Sequence, residues 1–156
     1  MNALSRYADP VYCIMRLIVG LLFACHGGQK ILGFPPGGHG PPADAMGILG
    51  AWIELAGGFL IAFGLLTRIA ALIASGEMAY AYFFMHASGK VAAMMHKPLT
   101  TPAQHFFPIL NGGESALIYC WVFLFIFFYG PGRWSIDALF DRSRAATVSS
   151  SNSVVR

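Results

Sequence analysis

The run Gly47–Leu66, GILGAWIELAGGFLIAFGLL, constrains this chain more than any other stretch. It is apolar and long enough to cross a bilayer as a helix, for which about 20 residues suffice. One carboxylate, Glu54, stands near its middle. Gly50, Glu54 and Gly58 recur at every fourth residue, with Gly47 and Gly57 beside that line. On a helix this leaves one face nearly bare of side chains, with an acid set in it. Such a face lets a second helix approach closely in lipid. The acid then points into the protein, where leaving it unpaired costs ~2.5–3.5 kcal/mol on insertion scales. Glu54 is therefore a functional candidate. The plainer alternative is a protonated acid that only hydrogen-bonds a neighbouring helix.

Composition points the same way. Of 156 residues, 56% are hydrophobic and 11% charged, against about 25% charged in soluble domains. The expectation is an integral membrane protein with a single domain, residues 1–144. The net charge of +3 is spread along a mostly apolar chain, which excludes a nucleic-acid binder. Cys13, Cys25 and Cys120 form no C-x-x-C pair, which argues against dithiol catalysis and a zinc knuckle. Leu22-Phe23-Ala24-Cys25 has a faint lipoprotein look, but Phe23 is bulky and Arg16 interrupts the apolar core, so the first run reads as a retained helix.

Taken in order, the chain predicts an all-α, four-helix membrane bundle, with helices over about 10–32, 45–66, 68–87 and 113–129. Asp9-Pro10 has the form of a helix start, with Asp9 as N-cap. Arg16 shares a face with Gly20, Ala24 and Gly28, and is aimed at the packing seam or the near surface. His26 and Lys30, four apart, share a face near the far end. The Pro- and Gly-rich loop 33–44 carries His39, and Asp44 suits the next N-cap. Thr67-Arg68 makes a short turn into the third helix, which carries Glu77 and His86. Glu54 and Glu77 lie 13 residues before and 10 after Thr67, so their depths differ by ~5 Å at helical rise.

The segment from Ser88 to Gly113 holds Lys90, His96, Lys97 and His105. Within it, Thr101-Pro102-Ala103-Gln104 is a capping box for a short interfacial helix. Asn111 is placed to cap the fourth helix, with Glu114 as its capping partner. Gly130-Pro131-Gly132 ends that helix, Trp134 suits a membrane interface, and the tail 145–156 reads as disordered. Four crossings put Arg6, Arg16, Arg68, Arg133, Arg142, Arg144 and Arg156 on one side, against Lys30, Lys90 and Lys97 on the other. The positive-inside rule makes both termini cytoplasmic, and gathers the histidines in the outer half.

Several stretches together resemble the DoxX family of small bacterial membrane proteins. They are Arg16–Phe23 (RLIVGLLF) with Gly28-Gln29-Lys30, and Glu54-Leu55-Ala56-Gly57-Gly58 with Gly64-Leu65-Leu66-Thr67-Arg68. Glu77 and His86 follow, then Asn111-Gly112-Gly113-Glu114 and Gly130–Asp137. The resemblance implies a four-helix protein of the bacterial inner membrane, with relatives among subunits of thiosulfate:quinone oxidoreductase and other envelope redox complexes.

The functional expectation joins these readings. The chain is a membrane subunit associated with redox chemistry, holding a quinone or similar lipophile in an outer-facing polar pocket. Glu54 and Glu77 are the proton carriers, and His26, Lys30, His86, His105 and Glu114 the contacts to the quinone. Arg16 and Asp137 form a structural ion pair at the inner face. The di-iron pattern E-x-x-H is absent and no metal ligand is assigned. A quinone is the candidate cofactor. Membrane lipid, a partner oxidoreductase subunit and a further copy of the chain are the candidate partners. The alternatives are a lipophile-binding or assembly protein without turnover, and a small proton-coupled transporter.

Overall fold

The structure, a computed structural model, describes residues 4–37, 40 and 42–143. Among them there are helices and no strand, so the fold is all-helical. Four long rods share one core. The first is α1 (Ala8–Ile31), preceded by a 3-10 turn at Ser5–Tyr7. The second runs Ala45–Phe63 and comprises α2 (Ala45–Trp52), a π-turn at Ile53–Gly57 and α3 (Gly58–Phe63). The third is α4 (Thr67–Tyr80), continued by a π-turn at Ala81–His86. Three short helices follow: α5 (Lys90–Met94), α6 (Pro102–Phe106) and α7 (Pro108–Asn111). The fourth rod is α8 (Glu114–Tyr129), and a helical turn spans 136–143. The disorder expected of the tail, like His39 and Arg144, falls outside the described residues.

Close backbone contact holds the first two rods together. A Cβ at Gly20 would lie 2.6 Å from the Ala62 nitrogen, and one at Gly58 would lie 2.5 Å from the Ala24 nitrogen. Only glycine fits at such a crossing, which is how small-residue faces act in membrane proteins. On the other side, α4 lays Ala70, Ala71, Ala74 and Met78 against Ala116, Phe123 and Ile126 of α8. Ser75 adds a hydrogen bond from its hydroxyl to the Cys120 carbonyl, 2.9 Å. Phe23, Tyr12 and Ile61 join the same core from the first two rods. Outward, the rods present Leu17, Leu21, Trp52, Phe59, Leu72 and Trp121. Ser5–Ile31 and Ala45–Phe63 are long and apolar enough to cross a membrane, while α8 is apolar but shorter, 16 residues.

At one end a polar clamp closes the molecule. The second rod stops at Phe63, not Leu66, because Gly64 turns into the left-handed region at φ 70°. Leu66 follows at φ 50° and has no side chain able to cap α4. Asp137 does so from 70 residues away. Its carboxylate accepts from the Leu66 and Thr67 amides, both 2.9 Å, and from the Thr67 hydroxyl, 2.8 Å. An anion at a helix start also meets the positive end of its dipole. Arg16, fully buried, donates to the Ile61 and Ala62 carbonyls and, at 2.7 Å, to that of Trp134. The expected Arg16–Asp137 ion pair is thus not formed. Each group instead satisfies backbone atoms left open at the rod ends, and the two hold the same turn from opposite sides.

Two further starts differ from the sequence reading. The first rod begins at Ala8 with no side-chain cap, and Asp9 faces Arg133 at 3.5 Å. Asn111 closes α7 and does not cap α8, because its side chain turns back to accept from the Gly113 amide, 2.9 Å. Glu114 is then the first residue of α8 and caps nothing. Asp44 does cap α2 through the Gly47 amide, and the capping box of Thr101 and Gln104 opens α6.

Candidate functional site

Three of the expected site residues come together. The Lys30 ammonium lies 2.6 Å from Glu54 Oε1. Glu54 is buried, with its side chain 5% exposed, whereas that of Lys30 is 39% exposed. Lys30 comes from the last turn of α1, and Glu54 from the π-turn that interrupts the second rod. A π-turn adds a residue to one turn and re-aims the side chains that follow, and such turns recur at functional sites. Glu77 comes from α4, and its carboxylate lies over Gly50. A Cβ on Gly50 would lie 3.2 Å from Glu77 Oε1. Glu54 and Lys30 are both near enough to act on the charge of Glu77.

The polar atoms of this cluster are unevenly satisfied. Glu54 Oε1 is held by Lys30, but Glu54 Oε2 and Glu77 Oε2 are buried without a hydrogen-bond partner. One ammonium balances one carboxylate, so a proton or a second cation must balance the other when both are out of water. The arrangement can therefore take up and release a proton, or accept hydrogen bonds from a polar group brought to it.

Other expected residues lie elsewhere. His86 Nδ1 meets the Asn111 carbonyl at 3.1 Å, and His105 Nδ1 meets that of Ala87 at 2.7 Å. Asn111 also donates to the His105 carbonyl, 3.2 Å, and the Tyr82 hydroxyl to that of Phe106, 3.0 Å. These bonds tie the segment over α6 and α7 to the end of the third rod. Glu114 is exposed and borders a groove with Pro108, Ile109, Leu117 and Ile118. His26 is exposed, its ring edge-on to Tyr119 with centroids 6.0 Å apart. The single outer pocket expected of His26, Lys30, His86, His105 and Glu114 thus separates into distinct surroundings, because His86 and His105 are committed to backbone carbonyls. Among the described residues no three His, Cys, Asp or Glu side chains converge on a point that would hold a metal.

Sequence reasoning missed Tyr119. It projects from α8 within electrostatic reach of Glu54 and Cys25, and packs on Phe23 and Phe123. Its only sequence signal is one hydroxyl in a run of Phe, Leu and Ile.

The DoxX family model matches residues 11–87, the stretch that supplies Lys30, Glu54 and Glu77. An uncharacterized protein of Haemophilus influenzae is 41% identical over 143 residues, covering 90% of this chain and 98% of its own. The chain belongs to the DoxX family. Two further relatives are named as membrane proteins. The inner membrane protein YqjF of Escherichia coli is 30% identical over 89% of this chain and 98% of its own. The uncharacterized membrane protein Rv3486 of Mycobacterium tuberculosis is 29% identical over 92% and 89%. No solved structure matches the chain. This DoxX protein is therefore a membrane protein, and the cluster of Lys30, Glu54 and Glu77 lies inside the family's own stretch.

Proposed function

We propose that this DoxX protein crosses the inner membrane four times, with both termini cytoplasmic, and that Lys30, Glu54 and Glu77 form a proton-exchanging site for a quinone or similar lipophile. The observation that carries the reading is the pair of buried, unpartnered carboxylate oxygens beside a single ammonium. A quinol hydroxyl donates naturally to such an oxygen, and a quinone carbonyl accepts from an ammonium or a protonated acid. Protons pass through Glu54 and Glu77, and electrons pass to or from a partner oxidoreductase subunit. Lys30, partly exposed, is the side from which the cluster is reached. His26 stands beside Tyr119 at the rim, whereas His86, His105 and Glu114 are outside the contact set.

The test is quinone-analogue affinity and proton uptake in detergent. Glu54→Gln and Lys30→Met should each weaken the analogue by ~1–3 kcal/mol, the worth of a charge-assisted polar contact. His86→Ala should leave it unchanged. Equal affinity in all variants would remove the quinone, and proton uptake lost in Glu54→Gln at unchanged affinity would favour transport. For the topology, a cysteine in place of His96 should label from outside the cell and one in place of Ser149 should not. The opposite pattern would invert the orientation.

A further inference from the structure

At the clamped end, the second rod and the C-terminal turn leave a groove of about 360 Å³. Phe63, Trp134, Ile136 and Leu139 line it, together with Arg133 and Arg142. Phe63, Trp134 and Leu139 are exposed, as is the neighbouring Phe140. They are not free to fold inward. The Asp137 amide donates to the Gly64 carbonyl, 2.9 Å, its carboxylate holds Leu66 and Thr67, and Arg16 holds the Trp134 carbonyl. The turn thus presents an apolar surface that the other described residues do not cover. Arg142 makes no ion pair among the described residues, and Arg133 has only the long contact to Asp9.

We infer that this groove is a binding site for an anionic phospholipid. Guanidinium groups match a phosphate in geometry and charge. The apolar floor suits the start of an acyl chain, and tryptophan favours the level of the headgroups. A second copy of the chain is a poorer occupant, since it would set the same arginine pair against itself. The inference needs only that the chain is a membrane protein, and stands apart from the quinone reading.

The experiment titrates delipidated protein in detergent with phosphatidylglycerol, phosphatidylcholine or inorganic phosphate, and follows adducts by native mass spectrometry. Phosphatidylglycerol should bind at least ~10-fold more tightly than phosphatidylcholine, the scale of two arginines at an anionic surface. Arg133→Gln with Arg142→Gln should abolish the preference, while Arg133→Lys with Arg142→Lys should keep part of it. Both arginines are exposed, so the doubly substituted chain should keep its helicity and its melting temperature. Retained preference in the glutamine pair would overturn the site. Displacement of the lipid by millimolar phosphate would overturn the lipid as its occupant.

Discussion

The two polar clusters of this protein are built from similar groups and satisfied in opposite ways. At the clamp, Arg16 reaches three carbonyls and Asp137 accepts three hydrogen bonds, with only Arg16 Nε left open. At the carboxylate cluster one ion pair forms, and two buried oxygens have no partner. A nearly saturated network returns its desolvation cost as fixed geometry, whereas one with two open oxygens holds capacity for something else. The clamp closes on backbone atoms that exist in the chain. The cluster has donors and acceptors in unequal number, which a proton or a ligand would balance.

The comparison breaks most visibly at Arg16. Arg16→Met leaves three carbonyls without their charged donors and should lose at least ~3 kcal/mol of stability. Unfolding in mixed detergent–SDS micelles measures it. The folded fraction should keep its quinone-analogue affinity, and a variant as stable as wild type would mean that the clamp holds nothing.

Gly50→Ala tests the other cluster with a smaller change. Alanine favours the helix by up to ~1 kcal/mol over glycine. Its Cβ would crowd Glu77 Oε1 at 3.2 Å and push the carboxylate by a few tenths of an ångström. Stability should hold or rise, while analogue affinity or proton uptake falls by a few-fold. A parallel fall in both would make Gly50 a packing residue only.

The smallest effect is in pH. Burial works to raise the Asp137 pKa, but the Thr67 amide and hydroxyl and the Leu66 amide outweigh it, and Arg16 adds to them. The group therefore lies below its ordinary 3.8. Its contribution is complete above the unfolded-state pKa and disappears as pH falls through the lower folded value. Melting temperature should not respond to this group between about pH 5 and 8, and should fall below ~4. Asp137→Asn should flatten that acid limb, and parallel curves for variant and wild type would exclude it.

Much was legible from residues alone. The apolar runs predict an all-helical membrane protein, and the ordered motifs from Arg16 to Asp137 resemble the DoxX family, to which the chain belongs. Asp44 and the Thr101–Gln104 box mark helix starts because capping depends on neighbours three residues apart. Asn111 misled for the same reason: its local pattern fits a cap, but a distant carbonyl at His105 and the Gly113 amide compete for the side chain.

What the sequence by itself determined is the class of element, the apolar character of its long runs and the presence of one acid, Glu54, on a small-residue face. Those follow from hydropathy and periodicity, which are local. The tertiary structure decided which acid takes Lys30, that Arg16 and Asp137 meet backbone instead of each other, and that His86 and His105 bond backbone carbonyls between the third rod and the segment over α6 and α7. Such pairings depend on how each rod is rotated about its axis. One extra residue in a π-turn shifts the downstream face by about 100°, and only packing against the other rods determines where that turn occurs.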